Sequence, residues 1–470
     1  MDNETFLFYT YSKTVTSSDT VPPPRFSARF SAQSTCVLQR FEMEEKIMII
    51  DSARLNGPCS CGREHLMVTR EAVIEAGCME KLDFYAAKYG LTGQRAVVYD
   101  ENTYQAKNLV RPKAAQEIVL PPENLHANEI AVGMLRERLK SGIDYLVAVG
   151  SGTIHDTTRY CANELGIPFV SCPTAASVDG FCSTVSAMTW KGYKKTMPGV
   201  APMFVLADTD IIKEAPLYLA LSGAGDIFGK YTALADWKIA HALTGEYFCP
   251  VIEKMTRQAV EAVYSCCRGL KTGDAEAFEQ LTYALILSGL AMQLMGNSRP
   301  ASGCEHHISH LIEMGPAAFD FHSDALHGEK VGVGTILASR VYHQLGQISD
   351  ISSLVREYAF PEKSVIRSFY GEKLAHSILE ENRKDCMAGV TPDMLIHAWP
   401  EIRSIIAEIP DADSLYALYE EIGAKKTLSD IQVPEEALSD LLRFSPTARN
   451  RLTLMRARWM IREASCGNQL

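Results

Sequence analysis

The 470-residue chain is 47% hydrophobic and 22% charged, enough apolar material for a full core. At roughly 150 residues per domain, its length predicts two or three domains. Its 46 basic and 57 acidic residues give a net charge of -11, which argues against a surface built to track nucleic acid or an anionic membrane.

Residues 1–45 are rich in Ser and Thr, carry Pro22-Pro23-Pro24 and hold no period, which predicts a poorly ordered extension. The start, Met1-Asp2-Asn3-Glu4, lacks the basic and apolar run of a secretion signal. Residues 46–212 are expected to form an α/β domain. The runs Ala96–Tyr99, Tyr145–Val149, Phe169–Ser171 and Met203–Leu206 read as strands, with helices over Leu125–Ser141 and Thr153–Gly166 between them. Continuous apolar strands separated by helices imply a parallel sheet covered on both faces. Residues 213–470 read as an all-α domain, with helices over Ile252–Leu270, Ala275–Met295, Cys304–Met314 and Glu329–Tyr342. The longest apolar run, Leu281 to Met295, is broken by Thr282, Ser288, Gly289 and Gln293, so it predicts a buried helix and no membrane insertion. Thirteen cysteines, an odd number in a long chain, suit reduced thiols, and the expected location is cytoplasmic.

Three stretches can carry chemistry. Gly150-Ser151-Gly152-Thr153-Ile154-His155-Asp156 joins a strand to a helix, where glycines and free N–H groups favour a pyrophosphate, although a plain tight turn reads the same way. Asp100, ending an earlier strand, is either a ribose ligand or a solvated turn residue. Pro173-Thr174-Ala175-Ala176-Ser177-Val178-Asp179-Gly180 follows the third strand, at the sheet edge where ligands bind, or forms an Asx-type turn. Cys304-Glu305-His306-His307-Ile308-Ser309-His310 places His306 and His310 on one helical face, with His307 about 100° away. His327 opens a later helix, and Asp226 lies amid Gly223, Gly225 and Gly229. One Asp and two His with an open position is the ligation of a catalytic zinc.

Together with Gly229-Lys230-Tyr231, Arg299-Pro300, Ser302-Gly303 and His327-Gly328-Glu329, these motifs resemble the iron-containing alcohol dehydrogenase and 3-dehydroquinate synthase superfamily. Within it the likeness is nearest to the bacterial-type glycerol-1-phosphate dehydrogenases, and it runs from about Ala96 to Arg458. The resemblance implies a dehydroquinate synthase-like fold: a nucleotide-binding parallel-sheet domain followed by a helical metal-binding domain. It implies Asp226, His306 and His327 as metal ligands, with zinc expected first and nickel or iron as alternatives. It implies NAD or NADP held by Gly152, Thr153, Ile154, His155, Asp156, Thr174, Ala175, Ala176, Ser177 and Ser183. His155 and Val178 depart from the usual asparagine or similar polar residue. Asp179 and His310 match positions that contact substrate, and Asp226 borders it.

The implied reaction is reduction of dihydroxyacetone phosphate to sn-glycerol 1-phosphate, a step toward glycerophospholipids, in a homodimer. Lys194, Lys195, Lys230 and Arg299 are available for the substrate phosphate. A glycerol or other polyol dehydrogenase, a dehydroquinate-synthase-like lyase and a non-catalytic nucleotide-binding protein are the alternatives. The lyases carry glutamate where Asp226 stands. Outside the shared stretch, Cys59-Ser60-Cys61 with His65 offers three candidate zinc ligands on one loop, a weak signal by itself.

Overall fold

The computed structural model describes residues 10–11, 47–51, 55–123, 125–190 and 193–462. The expected N-terminal extension therefore lies outside the described residues except for Thr10 and Tyr11. The chain opens with strands β1 (Thr10–Tyr11), β2 (Ile47–Asp51), β3 (Gly57–Pro58), β4 (Glu64–His65) and β5 (Glu71–Glu75). Helix α1 (Leu82–Lys88) leads to β6 (Arg95–Asp100), α2 (Glu101–Tyr104), β7 (Gln116–Leu120), α3 (Glu129–Arg138), β8 (Tyr145–Gly150), α4 (Gly152–Leu165) and β9 (Phe169–Pro173). A hairpin, β10 (Val185–Trp190) and β11 (Tyr193–Pro198), precedes β12 (Phe204–Asp208) and α5 (Thr209–Ile212).

Eight strands form one sheet in the order β1-β2-β5-β12-β9-β8-β6-β7. The six from β5 to β7 run parallel, and β2 and β1 add antiparallel at one edge. Alternation along the strands fills both faces. Val97, Tyr99, Val147 and Val149 pack against Leu82 and Tyr85 of α1, while Ala96, Val98, Leu146 and Ala148 pack against Val132 and Leu135 of α3 and Ile154 of α4. The β6–β7 crossover runs on the first of these faces, and α3 and α4 cover the other. The C-terminal ends of β6 and β8 therefore flank a switch point, where ligands of such sheets bind.

From Leu217 onward the described residues are helical and irregular. The helices nearest the sheet are α6 (Leu217–Phe228), α7 (Lys230–Thr244), α8 (Pro250–Cys266), α9 (Ala275–Met295), α10 (Cys304–Met314) and α11 (His327–Gly346). Helices α12 (Lys363–Tyr370), α13 (Glu372–Glu381), α14 (Pro392–Ile406), α15 (Ala412–Ile422), α16 (Leu438–Phe444) and α17 (Leu454–Ala457) complete the bundle. Helix α9 is buried almost all round, as its even apolarity predicts, and no helix among the described residues is long and apolar enough to cross a membrane.

The C-terminal stretch reaches back into the bundle. The backbone N–H of Leu454 donates to Asp236 Oδ1 at 2.8 Å, and Tyr342 Oη donates to the same oxygen at 2.7 Å. Asp236 Oδ2 accepts from the N–H of Cys304, the first residue of α10. Burial, with the Glu305 charge nearby, pushes the Asp236 carboxyl up to about 6 despite these donors.

Candidate metal centre and nucleotide crevice

Three helices bring Asp226, His306 and His327 together. Asp226 lies in the last turn of α6, His306 in the first turn of α10, and His327 opens α11. One ligand atom from each lies within 4.8 Å of the other two. Asp226 Oδ1 is 3.6 Å from His306 Nε2, and the two imidazole centroids are 5.3 Å apart. A carboxylate stands behind each ring: His306 Nδ1 meets Glu305 Oε1 at 2.7 Å, and His327 Nδ1 meets Glu313 Oε1 at 2.9 Å. Such partners fix ring orientation and leave Nε2 as the nitrogen available to a cation. Glu305 is in turn held by Thr232 Oγ1 and the N–H of Gly303. The donor set therefore suits a divalent metal.

Charge is concentrated here. Lys230, wholly buried at the start of α7, donates to Asp226 Oδ1 at 2.9 Å and pairs with Asp179 Oδ2 at 2.7 Å. Burial alone would raise the Asp226 pKa, but Lys230 and His306 hold it well below the usual carboxylate range. Burial likewise opposes a charge on His306, yet Asp226 and Glu305 raise its pKa to about 9. Small residues allow this crowding. A Cβ on Gly225 would stand 2.3 Å from the Gly328 carbonyl oxygen, so α6 and α11 touch backbone to backbone beside the ligands.

Asp179 sits at the junction of the two halves. Its N–H donates to Asp226 Oδ2 at 3.1 Å, and its Oδ2 also accepts from Ser288 Oγ on α9. The turn that carries it is tied to α4 by buried Arg159, which donates to the carbonyls of Gly180 and Phe181 and pairs with Asp156. This clamp was invisible in the sequence, because an arginine inside an amphipathic helix reads as a solvated residue.

The residues expected to hold the dinucleotide gather at the ends of three adjacent strands. Asp100 ends β6, Gly150 ends β8, and Thr174 to Ser177 follow β9. Ser151 supplies no side-chain cap to α4 and the first turn holds no acid, so the helix start is open to an anion. Gly152 faces Val178 closely, and the buried Ser177 hydroxyl has no protein partner. Thr174, Ala175 and Ala176 are buried just after the end of β9, while the Ser183 hydroxyl accepts from the N–H of Val185. Two expected contacts differ in detail. The Asp100 carboxylate caps α2, taking the N–H and hydroxyl of Thr103. The His155 ring is 1% exposed, edge-on to Phe169 and Phe181, and turned into the core beside Ile154, so its side chain has no face toward the crevice. Burial lowers its pKa to about 3.

His310 follows His306 by one turn, and its ring stacks on His327 with centroids 5.9 Å apart. Its Nδ1 has no protein partner. Burial, and next the charge of Arg449, hold it well below the usual histidine pKa. His307 points elsewhere and is fully buried, as helical geometry implies.

Of the basic residues considered for a phosphate, Lys230 is enclosed by carboxylates and Arg299 is occupied by Glu246 and the carbonyls of Asp236 and Leu452. Lys195 lies exposed on the β10–β11 hairpin, and the Lys194 side chain is outside the described residues. Arg449, which sequence reasoning missed, lies close enough to His310, Glu313 and Glu381 for its charge to act on them.

The sheet, the helical bundle and the Asp-His-His centre define a protein of the iron-containing alcohol dehydrogenase class, whose family profile matches residues 73–216. Solved structures share the fold: an iron-containing alcohol dehydrogenase from Corynebacterium glutamicum (TM-score 0.54, 14% identity, 85% of this chain and 97% of that one) and a probable glycerol dehydrogenase from Sinorhizobium meliloti (TM-score 0.52, 17% identity, 81% and 90%). Glycerol-1-phosphate dehydrogenase of Bacillus licheniformis is 32% identical over 408 residues, 84% of this chain and 90% of that one. Its counterpart from Halalkalibacterium halodurans is 30% identical over 423 residues, 87% and 97%. The chain belongs to the glycerol-1-phosphate dehydrogenase family.

Proposed function

We propose that the protein reduces dihydroxyacetone phosphate to sn-glycerol 1-phosphate with NADH or NADPH, using one divalent metal ion held by Asp226, His306 and His327. The observation that carries this reading is the meeting, at one point, of the set Asp226, His306 and His327, with the Arg449 charge acting on His310 one helical turn away. Zinc is the first expectation, and the same ligands accept nickel or iron. A bound divalent ion supplies charge stabilisation to the ketone oxygen, and the nicotinamide supplies the hydride.

The chain's own groups do the remaining work. The open start of α4 takes the pyrophosphate, and the Thr174–Ser177 wall holds the dinucleotide against the sheet edge. Arg449, whose charge is felt at His310, grips the triose phosphate, since a guanidinium matches a phosphate in a two-pronged contact. Asp179, with Oδ2 pinned by Lys230 and Ser288, presents Oδ1 to a substrate hydroxyl. His310, kept neutral by burial, orients the substrate oxygen and relays to it a proton taken up at its other ring nitrogen as the first is given, so the ring returns to its neutral form.

The test is NAD(P)H oxidation by metal-supplied enzyme with dihydroxyacetone phosphate and with unphosphorylated dihydroxyacetone. The expected result is turnover with a strong preference for the phosphate ester. Absence of turnover with either ketone overturns the reading, and equal kcat/KM for both points to a glycerol dehydrogenase.

A further inference from the structure

A second cluster of soft ligands lies outside this centre. The β3–β4 hairpin, paired Gly57 to His65 and Pro58 to Glu64, closes on Cys59 and Cys61 through hydrogen bonds from the Cys59 N–H to the Arg63 carbonyl and from the Gly62 N–H to the Cys59 carbonyl. Folding adds a residue that the sequence places far away: Cys249, fully buried at the N-cap of α8. Cys59 Sγ is 3.7 Å from Cys249 Sγ, and His65 Nε2 is 3.4 Å from the sulfurs of both Cys61 and Cys249. All four ligand atoms lie within 4.8 Å of one another.

With Zn–S near 2.3 Å and Zn–N near 2.0–2.1 Å, a tetrahedral site has S···S edges of about 3.8 Å and S···N edges of about 3.6 Å. The measured separations fit those edges within a few tenths of an ångström. The second shell fits as well. His65 Nδ1 donates to the Leu294 carbonyl at 2.9 Å, which fixes the tautomer with Nε2 facing the thiols. Tyr247 Oη lies 3.0 Å from Cys61 Sγ, and the Arg63 guanidinium covers the Tyr247 ring 3.4 Å from its centroid. All described cysteines are free thiols.

We infer that Cys59, Cys61, His65 and Cys249 bind a zinc ion as a closed structural site that staples the 57–65 hairpin to the start of α8 and the end of α9. Four protein ligands leave no open position, so this ion takes no part in the reaction. Its binding displaces the thiol protons to solvent. The two-residue strands β3 and β4 are too short to hold the hairpin by pairing alone.

The full-length protein is purified with zinc supplied and its metal content measured beside Cys59→Ser/Cys61→Ser and His306→Ala. The staple predicts that the cysteine variant loses one zinc per chain, and that His306→Ala retains that zinc. Unchanged zinc content in the cysteine variant overturns the site. Cobalt replacement of the wild-type protein needs no variant. A thiolate-to-cobalt charge-transfer band is expected, because the catalytic ligands contain no sulfur. A cobalt-loaded protein without that band overturns the inference, and so does a Cys59–Cys249 disulfide found by thiol titration of the denatured, chelated chain.

Discussion

A Cβ built on Gly328 would stand 1.9 Å from the carbonyl oxygen of Ser222. No side chain fits there, so α11 lies against α6 at backbone distance just where His327 and Asp226 emerge. The ligand geometry is thus set by the absence of a methyl group next to it. Gly328→Ala should force the helices apart, destabilising the fold by about 1–3 kcal/mol and loosening metal binding. Thermal unfolding with and without added metal checks this: the variant should show a lower midpoint and a smaller metal-induced rise.

The carboxylates behind the imidazoles make a graded prediction. His306→Ala should release the catalytic metal and abolish turnover. Glu313→Gln keeps every ligand but weakens the hold on His327, so metal affinity should fall roughly 10- to 100-fold. Competition against a chromogenic chelator distinguishes the two.

Arg449→Met removes the charge next to His310. A charged hydrogen bond of about 1.5–3 kcal/mol corresponds to a roughly 10- to 150-fold loss. The expectation is a rise of that size in KM for dihydroxyacetone phosphate, with NADH affinity and metal content near wild type. An unchanged KM would place the phosphate elsewhere.

A Cβ at Gly152 would stand 3.0 Å from Val178 Cγ2, tight before any ligand arrives. Gly152→Val should therefore weaken NADH binding, read by fluorescence titration, while the metal content stays unchanged.

His155 bears on acid stability. Its folded pKa, lowered by burial to about 3, lies well below the usual histidine value of 6.5. Between these values the unfolded chain binds a proton that the folded chain does not, so the residue stabilises the fold above pH 6.5 and that stability drains away as pH falls toward 3. The slope is about 1.4 kcal/mol per pH unit for one proton. His155→Gln, which keeps an amide near the Ser151 carbonyl, should flatten the fall of the unfolding midpoint between pH 6 and 4.

Much of this architecture was legible where one physical cause dominates. Tyr145–Val149 is a buried central strand, so its apolar run is unbroken; His306 and His310 share a helical face by spacing alone. Strand β5 escaped notice because Glu71 and Glu75 bound it. Their charges look solvent-facing in sequence, yet they pair with Lys88 and Lys81. The β10–β11 hairpin was missed because its exposed residues carry a weak alternation. At the metal centre, Asp226 and the histidines announce their chemistry by type, whereas Glu305 and Glu313 look like any helix-surface glutamate until the fold turns them inward. Cys249 lies 190 residues from Cys59, so only tertiary structure makes the pair a cluster.

The hydrogen bond from the Leu454 N–H to Asp236 also bears on how the protein is made. The donor lies 218 residues after the carboxylate it satisfies, and that same carboxylate anchors the start of α10. A nascent chain still missing the Leu454 stretch carries a charged Asp236 short of one of its donors, directly under the helix that presents His306. The first turn of α10, and with it the placement of His306, therefore leans on the last-made part of the chain.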